Sequence, residues 1–289
     1  MYLPDFDYYT PESVEAVSNM LLEKEGSKIL SGGTDLIPMV KNGVIQPATL
    51  ISLKKVPGLK KIENVSGRGV VIGAASTHND LVFSEVLNKK YNSVSNAAQQ
   101  MAANQVRHGG TIGGNIATAT PSADLPPILI ALGAKATLVS AKGKRELAVE
   151  DIFTGPRTTV IERGEVLTEV VIPDSAFTGS SYFKYALRKS GALAVVGVAA
   201  AVQMDGNVIK DIRVAFGAVA PTPMRAKKVE EFLKGKEATE ANLEAAADIA
   251  RGECKPISEK HRASEEYRRD MVGVFTKRAI KKAIAEGHN

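Results

Sequence analysis

The residues best suited to chemistry fall in two short segments rich in glycine and hydroxyl side chains. Ser31-Gly32-Gly33-Thr34-Asp35 lies between an apolar run and a helix-forming stretch, and Gly109-Gly110-Thr111-Ile112-Gly113-Gly114-Asn115 is the densest glycine cluster of the chain. Paired glycines let a backbone turn sharply and bring its N–H groups close to a ligand. A helix start adds unpaired N–H groups and partial positive charge, the combination that holds phosphate. Thr34, Thr111 and Asn115 supply polar side chains, with Thr120, Ser122 and Asp124 just downstream. Two such turns in one half of a chain fit one extended ligand with two phosphates, cradled by backbone amides without any lysine. A second reading stays open for each: the first segment is just a turn before a helix, and the second a glycine-rich corner packing against the first domain.

Other chemistries find no support. No G-x-G-x-x-G follows a strand and no G-x-x-x-x-G-K-[ST] occurs, so neither common nucleotide fingerprint is present. No Ser/His/Asp or Cys/His set stands out for nucleophilic catalysis. The single cysteine, Cys254, excludes an internal disulfide and a self-contained iron–sulfur cluster. His78, His108, His261 and His288 are scattered without metal-ligand spacing. Redox chemistry here needs an organic cofactor.

The elements that must position these turns follow from the apolar pattern. Thr10-Pro11 reads as a helix cap and first helical position ahead of Val14, Val17 and Leu21. Strands are expected at 28–30, 49–53 and 69–73, and a helix at 36–41. Thr77 and Asp80 form a T-x-x-D capping pattern. The spacing predicts helices over 92–104 and 124–132, then strands at 135–139, 166–172, 182–187, 195–204 and 208–216, the last two joined by Asp205-Gly206-Asn207 as a hairpin. Helices over 224–233, 239–251 and 265–285 complete the chain. A shift in composition near 173–181 suggests a linker. Strands and helices alternate before it; three strands and then helices follow, an α+β order.

With 289 residues, 44% of them hydrophobic, the chain has ample material for two domains or one large one. No apolar run approaches the roughly 20 residues of a membrane span, and Met1-Tyr2-Leu3-Pro4-Asp5 has neither region of a signal peptide. A cytoplasmic protein is expected. The net charge of +5, much of it in the last third, permits a nucleic acid or an acidic partner. Acidic residues are interspersed and no aromatic pattern suits base stacking, so nucleic-acid binding is not expected.

The pair Ser31-Gly32-Gly33-Thr34-Asp35 and Gln105-Val106-Arg107 … Thr111-Ile112-Gly113-Gly114-Asn115-Ile116 … Pro121-Ser122-Ala123-Asp124-Leu125-Pro126-Pro127 resembles the FAD subunit of molybdenum hydroxylases. These are the medium subunits of bacterial carbon monoxide and xanthine dehydrogenases. The resemblance covers nearly the whole chain. It includes Val71-Ile72-Gly73-Ala74, Glu165-Val166-Leu167-Thr168-Glu169 before Ile172-Pro173, and Ala194-Val195-Val196-Gly197-Val198-Ala199-Ala200. Cys254 stands alone and no cysteine-bearing insertion occurs, which disfavours the 4-hydroxybenzoyl-CoA reductase branch with its extra iron–sulfur cluster.

The resemblance implies an α+β chain. A two-lobed FAD-binding fold of the vanillyl-alcohol oxidase type would occupy 1–175, with lobes of about 1–55 and 56–175. A small antiparallel sheet with packed helices would occupy 176–289. It implies FAD in this chain, held without covalent attachment, with iron–sulfur clusters and molybdopterin on a small and a large partner subunit and NAD among the possible acceptors. Carried over by position, Gly32, Gly33, Thr34, Asp35 and Leu36 would hold the pyrophosphate side, and Thr111, Gly114, Asn115, Thr120 and Asp124 would close on pyrophosphate and ribose. Ala102 would lie along the flavin, Leu167 near the adenine, and Lys184 by the flavin ring; Leu30, Ser31, Val106 and Gly110 complete the set. Leu36, Ala102 and Leu167 also suit a core, and Lys184 a solvated strand position. No catalytic or metal-binding residue is expected. A free-standing flavin oxidase or dehydrogenase and a non-catalytic basic module are the alternatives; the former would need a substrate-facing acid or base.

Overall fold

The computed structural model describes residues 3–258 and 262–287; His261 and His288, like Met1 and Tyr2, lie outside them. Three sheets carry the architecture. The first is parallel, with strand order Asp7–Tyr9, Thr49–Ser52, Ser27–Leu30. The second is antiparallel and five-stranded, in the order Ile62–Val65, Gly69–Gly73, Val166–Ile172, Lys135–Ser140, Gly143–Ala148. The third runs Gly179–Tyr185, Val196–Asp205, Val208–Gly217, Met224–Arg225, also antiparallel.

The third sheet is covered on both faces, which explains why Val196–Asp205 reads as a nearly continuous apolar run. Ala199, Ala201, Ala215 and Tyr182 join the core built on the second sheet, while Val198, Ala200, Val202, Val214 and Phe216 join the core beneath the C-terminal helices. Small residues permit the close approach. A Cβ on Gly217 would stand 2.7 Å from Pro127 Cγ on the helix Leu125–Ala131. One on Gly179 would stand 1.9 Å from the Ala283 carbonyl oxygen on the helix Glu265–Gly287. Asp205 pairs with Val208 across Gly206-Asn207, with Gly206 at φ 56°, the hairpin expected from the sequence.

Several expectations need correction. The first helix is Val14–Glu23 and its cap is Ser13, whose hydroxyl accepts from the Ala16 amide; Thr10 and Pro11 lie outside it. The apolar stripe beginning at Val14 sets the start, and Ser13 is the residue adjacent to it. The helix expected over 92–104 ends at Gln99 and a second one runs from Asn104 to Gly109. Between them Ala102 adopts φ 41°, and its carbonyl accepts from the Gly191 amide, a tertiary bond that a continuous helix would forbid. The glycine-rich segment 109–115 is not turn throughout, because the helix Ile112–Thr118 starts inside it. The stretch 173–181 is only partly connector, because Gly179, Ser180 and Ser181 already pair with Val202, Ala201 and Ala200. Met224 and Arg225 pair with Phe216 and Ala215 as an edge strand, so the following helix begins at Lys227.

Candidate functional site

The first glycine turn leaves the strand Ser27–Leu30 and enters the helix Leu36–Lys41. Gly33 sits at φ 70°, where an L side chain is strained, and a Cβ there would meet Leu30 Cδ1 at 3.0 Å and Ile37 Cγ1 at 3.2 Å. The first helical bond is Ile37 N to Gly33 O, and the Asp35 side chain makes no capping hydrogen bond. Among the described residues the amides of Gly32, Gly33, Thr34, Asp35 and Leu36 therefore find no acceptor. Backbone donors left open in a concave wall are what an anionic ligand requires.

The second turn is built differently. Ile112 N donates to Ser76 O at 3.0 Å and Gly113 N to Ala74 O at 2.9 Å. Gly114 N donates to Thr111 Oγ1 at 3.1 Å and Asn115 N to Thr111 O at 2.9 Å. The amides of Ile112 to Asn115 are thus satisfied, but that of Thr111 finds no acceptor among the described residues, so the second turn keeps an open backbone donor at the cleft beside the longer row of the first. Close packing accounts for glycines in both turns. A Cβ on Gly32 would lie 1.9 Å from Gly109 O, one on Gly113 2.7 Å from the Ala74 Cβ, and one on Gly110 2.9 Å from His78 Cδ2. The two turns lock together, and Ser31 Oγ meets Thr111 Oγ1 at 3.0 Å. Beside that amide the second turn offers side chains: Asn115 faces the same space, and its buried Oδ1 has no partner.

Between the turns lies a cleft of about 970 Å³, at the upper end of the range for small-molecule sites. Ser31, Gly32, Gly33, Thr34, Asp35, Leu36, Ala102, Val106, Gly110, Thr111, Gly114, Asn115, Thr120, Asp124 and Leu167 all line it. Leu30 does not; it packs beneath Gly33. Lys184 lines a smaller neighbouring cavity with Gln100 and Arg188. Its side chain is only 6% exposed, so it is no solvated strand lysine. The ammonium donates to Asp124 Oδ2 at 2.8 Å and to Gln100 O at 3.0 Å, while Tyr182 donates its hydroxyl proton to Asp124 Oδ1 at 2.8 Å. Burial pushes the Asp124 carboxyl above its ordinary range, against the opposing pull of Lys184 and Tyr182. Burial, then the Asp124 charge, pushes the Tyr182 phenol well up. Both carboxylate oxygens of Asp124 are thus engaged by the third sheet.

Three cleft features were not found from the sequence. His78, 3% exposed, lines the wall; burial and then the Arg107 charge lower its pKa to about 4. Its Nδ1 is buried without a partner. The T-x-x-D pattern fixed its place at the start of the helix His78–Val82 but nothing in it pointed to a cleft. Arg157 and the segment Gly191-Ala192-Leu193 also line the space, without any local signal. His78 bonds to no hydroxyl or carboxylate among the described residues, so no nucleophile–base pair is assembled. No cluster of potential metal ligands forms among them. The arrangement can hold an elongated, doubly charged ligand, apolar at its ends, and does not itself build acid–base machinery.

Comparison with known families agrees with that chemistry. Residues 4–175 match the FAD binding domain in molybdopterin dehydrogenase, and residues 181–283 match the CO dehydrogenase flavoprotein C-terminal domain. The chain belongs to the FAD-binding medium-subunit family of the molybdenum hydroxylases and is an oxidoreductase subunit. It is 38% identical over 289 residues to the carbon monoxide dehydrogenase medium chain of Hydrogenophaga pseudoflava, covering 99% of each. It is 34% identical over 282 residues to the glyceraldehyde dehydrogenase medium chain of Sulfolobus acidocaldarius, covering 97% of this chain and 99% of that one. The solved Hydrogenophaga pseudoflava carbon monoxide dehydrogenase lacking the Mo-pyranopterin moiety matches with a TM-score of 0.94 at 36% identity, covering 99% of each chain.

Proposed function

We propose that this chain holds a single FAD, without a covalent link, in the cleft between the two glycine turns and serves as the electron-transferring flavin subunit of a molybdenum hydroxylase complex. Electrons would arrive one at a time from iron–sulfur clusters on a small partner subunit, drawn from a substrate oxidised at molybdopterin on a large one. They would leave to an acceptor such as NAD. The observation that carries the reading is the row of open amides from Gly32 to Leu36 facing a cleft of this size. The donor set fits a dinucleotide: amides for a diphosphate, the Thr34 hydroxyl and Asn115 amide beside them, and apolar walls at Leu167 and Ala102 for the rings.

FAD, when bound, supplies the exchange between single electrons and electron pairs. The protein binds, orients and shields. Gly32–Leu36 would neutralise the diphosphate, and Thr111, Gly114, Asn115 and Thr120 would close the opposite wall. The Asp124–Lys184 pair would fix the end of the cleft nearest the third sheet. His108 is exposed and does not line the cleft, which favours non-covalent binding. The reading takes 1–175 as the FAD-binding domain, of the two-lobed type shared with vanillyl-alcohol oxidases, and 176–289 as the C-terminal domain. The family boundaries at 175 and 181 support that division. No helix among the described residues is long and apolar enough to cross a membrane, in keeping with a cytoplasmic complex.

The test is a visible spectrum of the purified chain, with FAD quantified after denaturation. A yellow protein that releases FAD into the supernatant is expected. A colourless protein that ignores added FAD would defeat the assignment. Rapid flavin reduction by purines, aldehydes or aromatic heterocycles with the isolated chain would instead favour a free-standing dehydrogenase.

A further inference from the structure

Backbone strain in this molecule is not spread evenly. Among the described residues, the non-glycine residues at positive φ are Ala102, Ala119, Arg157 and Ala218. Ala102 and Arg157 line the cleft, and Ala119 stands between the cleft residues Thr118 and Thr120. Left-handed alanine has a ready explanation where a helix ends, as at Ala119 after Ile112–Thr118. Arg157 has none. It occupies the tip between two short strands, Phe153–Gly155 and Thr158–Thr159, where glycine would cost nothing and arginine at φ 60° is strained. A strained residue persists only where its surroundings over-determine it, and such residues gather at ligand clamps.

The surroundings of Arg157 fit that description. Its amide donates to Ala119 O at 2.9 Å, pinning the hairpin to the end of the second-turn helix. Its side chain reaches the other wall, where Nη1 comes within 3.7 Å of Met39 Sδ. Met39 lies on the helix Leu36–Lys41, bonded through its own amide to Asp35 O. It stands three residues beyond Leu36, so the guanidinium touches the first turn of the helix whose N-terminal amides are open. A thioether is a weak acceptor and satisfies little of a guanidinium's donor capacity. No carboxylate lies within ion-pair distance of Arg157 among the described residues, although its neighbours Arg145 and Arg163 are both committed, to Glu165 and to the Leu21 and Leu22 carbonyls.

We propose that Arg157 is a clamp for the diphosphate of the bound dinucleotide, held across the cleft by a hairpin whose strained tip aims the guanidinium at the anion cradled by the Gly32–Leu36 amides. This rests on the reading of the cleft as an FAD site. The fork geometry of guanidinium suits two phosphate oxygens at once, and it supplies the full positive charge that the amide row lacks. Together they would hold the diphosphate from both sides.

The test uses the full-length holoprotein and follows FAD released on dilution as rising flavin fluorescence, at low and high salt, for wild type, R157Q, R157K and R157G. R157Q is expected to bind FAD about ten- to a hundredfold more weakly at low salt, with the gap narrowing at high salt as screening removes the charge term. R157K should recover part of the salt dependence and little of the affinity. R157G is the decisive variant. It relieves the positive φ, so its melting temperature without FAD should rise while its FAD affinity falls as in R157Q. A hairpin that merely braces the cleft would move both in the same direction. Equal FAD retention in R157Q and wild type, or a loss independent of salt, overturns the clamp. So does an effect confined to reduction by NADH, which would assign the guanidinium to an acceptor. A wild-type chain that holds no FAD would sink the functional reading itself, a separate outcome.

Discussion

Replacing His78 tests the electrostatics of the cleft wall. An exposed histidine titrates near 6.5; His78 titrates at about 4, because burial disfavours its charged form and Arg107 adds repulsion. The folded value lies below the unfolded one, so protons bind the unfolded chain more readily. The neutral ring therefore favours the folded state fully above pH 6.5, and that contribution disappears as pH falls through the window to about 4. A gap of roughly two and a half pH units at about 1.4 kcal/mol each amounts to about 3 kcal/mol. The ring is 3% exposed, so solvent screening does not reduce this much. His78→Gln keeps a polar side chain and removes the titration. Urea unfolding of both proteins at a series of pH values from 7 to 4, with free FAD held constant, isolates the term. Asp124 and Glu230, raised by burial, favour folding as pH falls, but they act equally in both proteins and cancel in the difference. The variant should lose less stability than wild type on acidification, by about 3 kcal/mol over the window. Parallel curves would refute the buried, neutral histidine.

Other expectations are simpler to check. Gly33→Val should abolish FAD binding with far-ultraviolet circular dichroism retained, because it forces a β-branched residue into φ 70° against Leu30 and Ile37. Gly114→Val, whose Cβ would press on Thr111 Oγ1 at 3.0 Å, should cost a helix cap of about 1 kcal/mol as well as flavin. Asp124→Asn strands the buried Lys184 ammonium and should destabilise by about 3–5 kcal/mol in chemical unfolding, beyond any change in flavin content. Ser13→Ala should cost about 1 kcal/mol and Thr10→Ala almost nothing, the reverse of what the Thr10-Pro11 signal implies.

The parts of the fold that were readable are those where a local rule acts alone. Gly69–Gly73, Val166–Ile172 and Leu36–Lys41 appear with the bounds the apolar pattern sets. The Asp205-Gly206-Asn207 hairpin and the Thr77–Asp80 capping box need no distant partner either. Where tertiary contacts decide, reading from sequence failed. The helix break at Ala102 depends on the Gly191 amide, and the short edge strand Met224–Arg225 depends on Ala215 and Phe216. The strand Gly143–Ala148, rich in charge, is a strand only because Lys135–Ser140 pairs with it.

At the site, composition identified both turns but not their division of labour. Two glycine clusters look alike in sequence because glycine answers two different demands, open amides and close packing. Which demand operates depends on the acceptors that surround each amide. The Ala74 and Ser76 carbonyls, supplied by the turn after Gly69–Gly73, take the Gly113 and Ile112 amides, and Thr111 takes those of Gly114 and Asn115. No such carbonyls reach the first turn, and its donors stay open. The second turn's glycines then serve the first: Gly109 and Gly110 receive Gly32 at a distance no Cβ would permit, and Gly113 lets the helix Ile112–Thr118 settle on Ala74. The first turn is therefore the main row of backbone donors, and the second both backs it and faces the cleft with Thr111 and Asn115. This explains why a substitution such as Gly113→Ala, although outside the Gly32–Leu36 row, would disturb the anion cradle: its Cβ would meet Ala74 at 2.7 Å, lift the helix off the second sheet and shift the geometry that leaves Gly32–Leu36 open to the cleft.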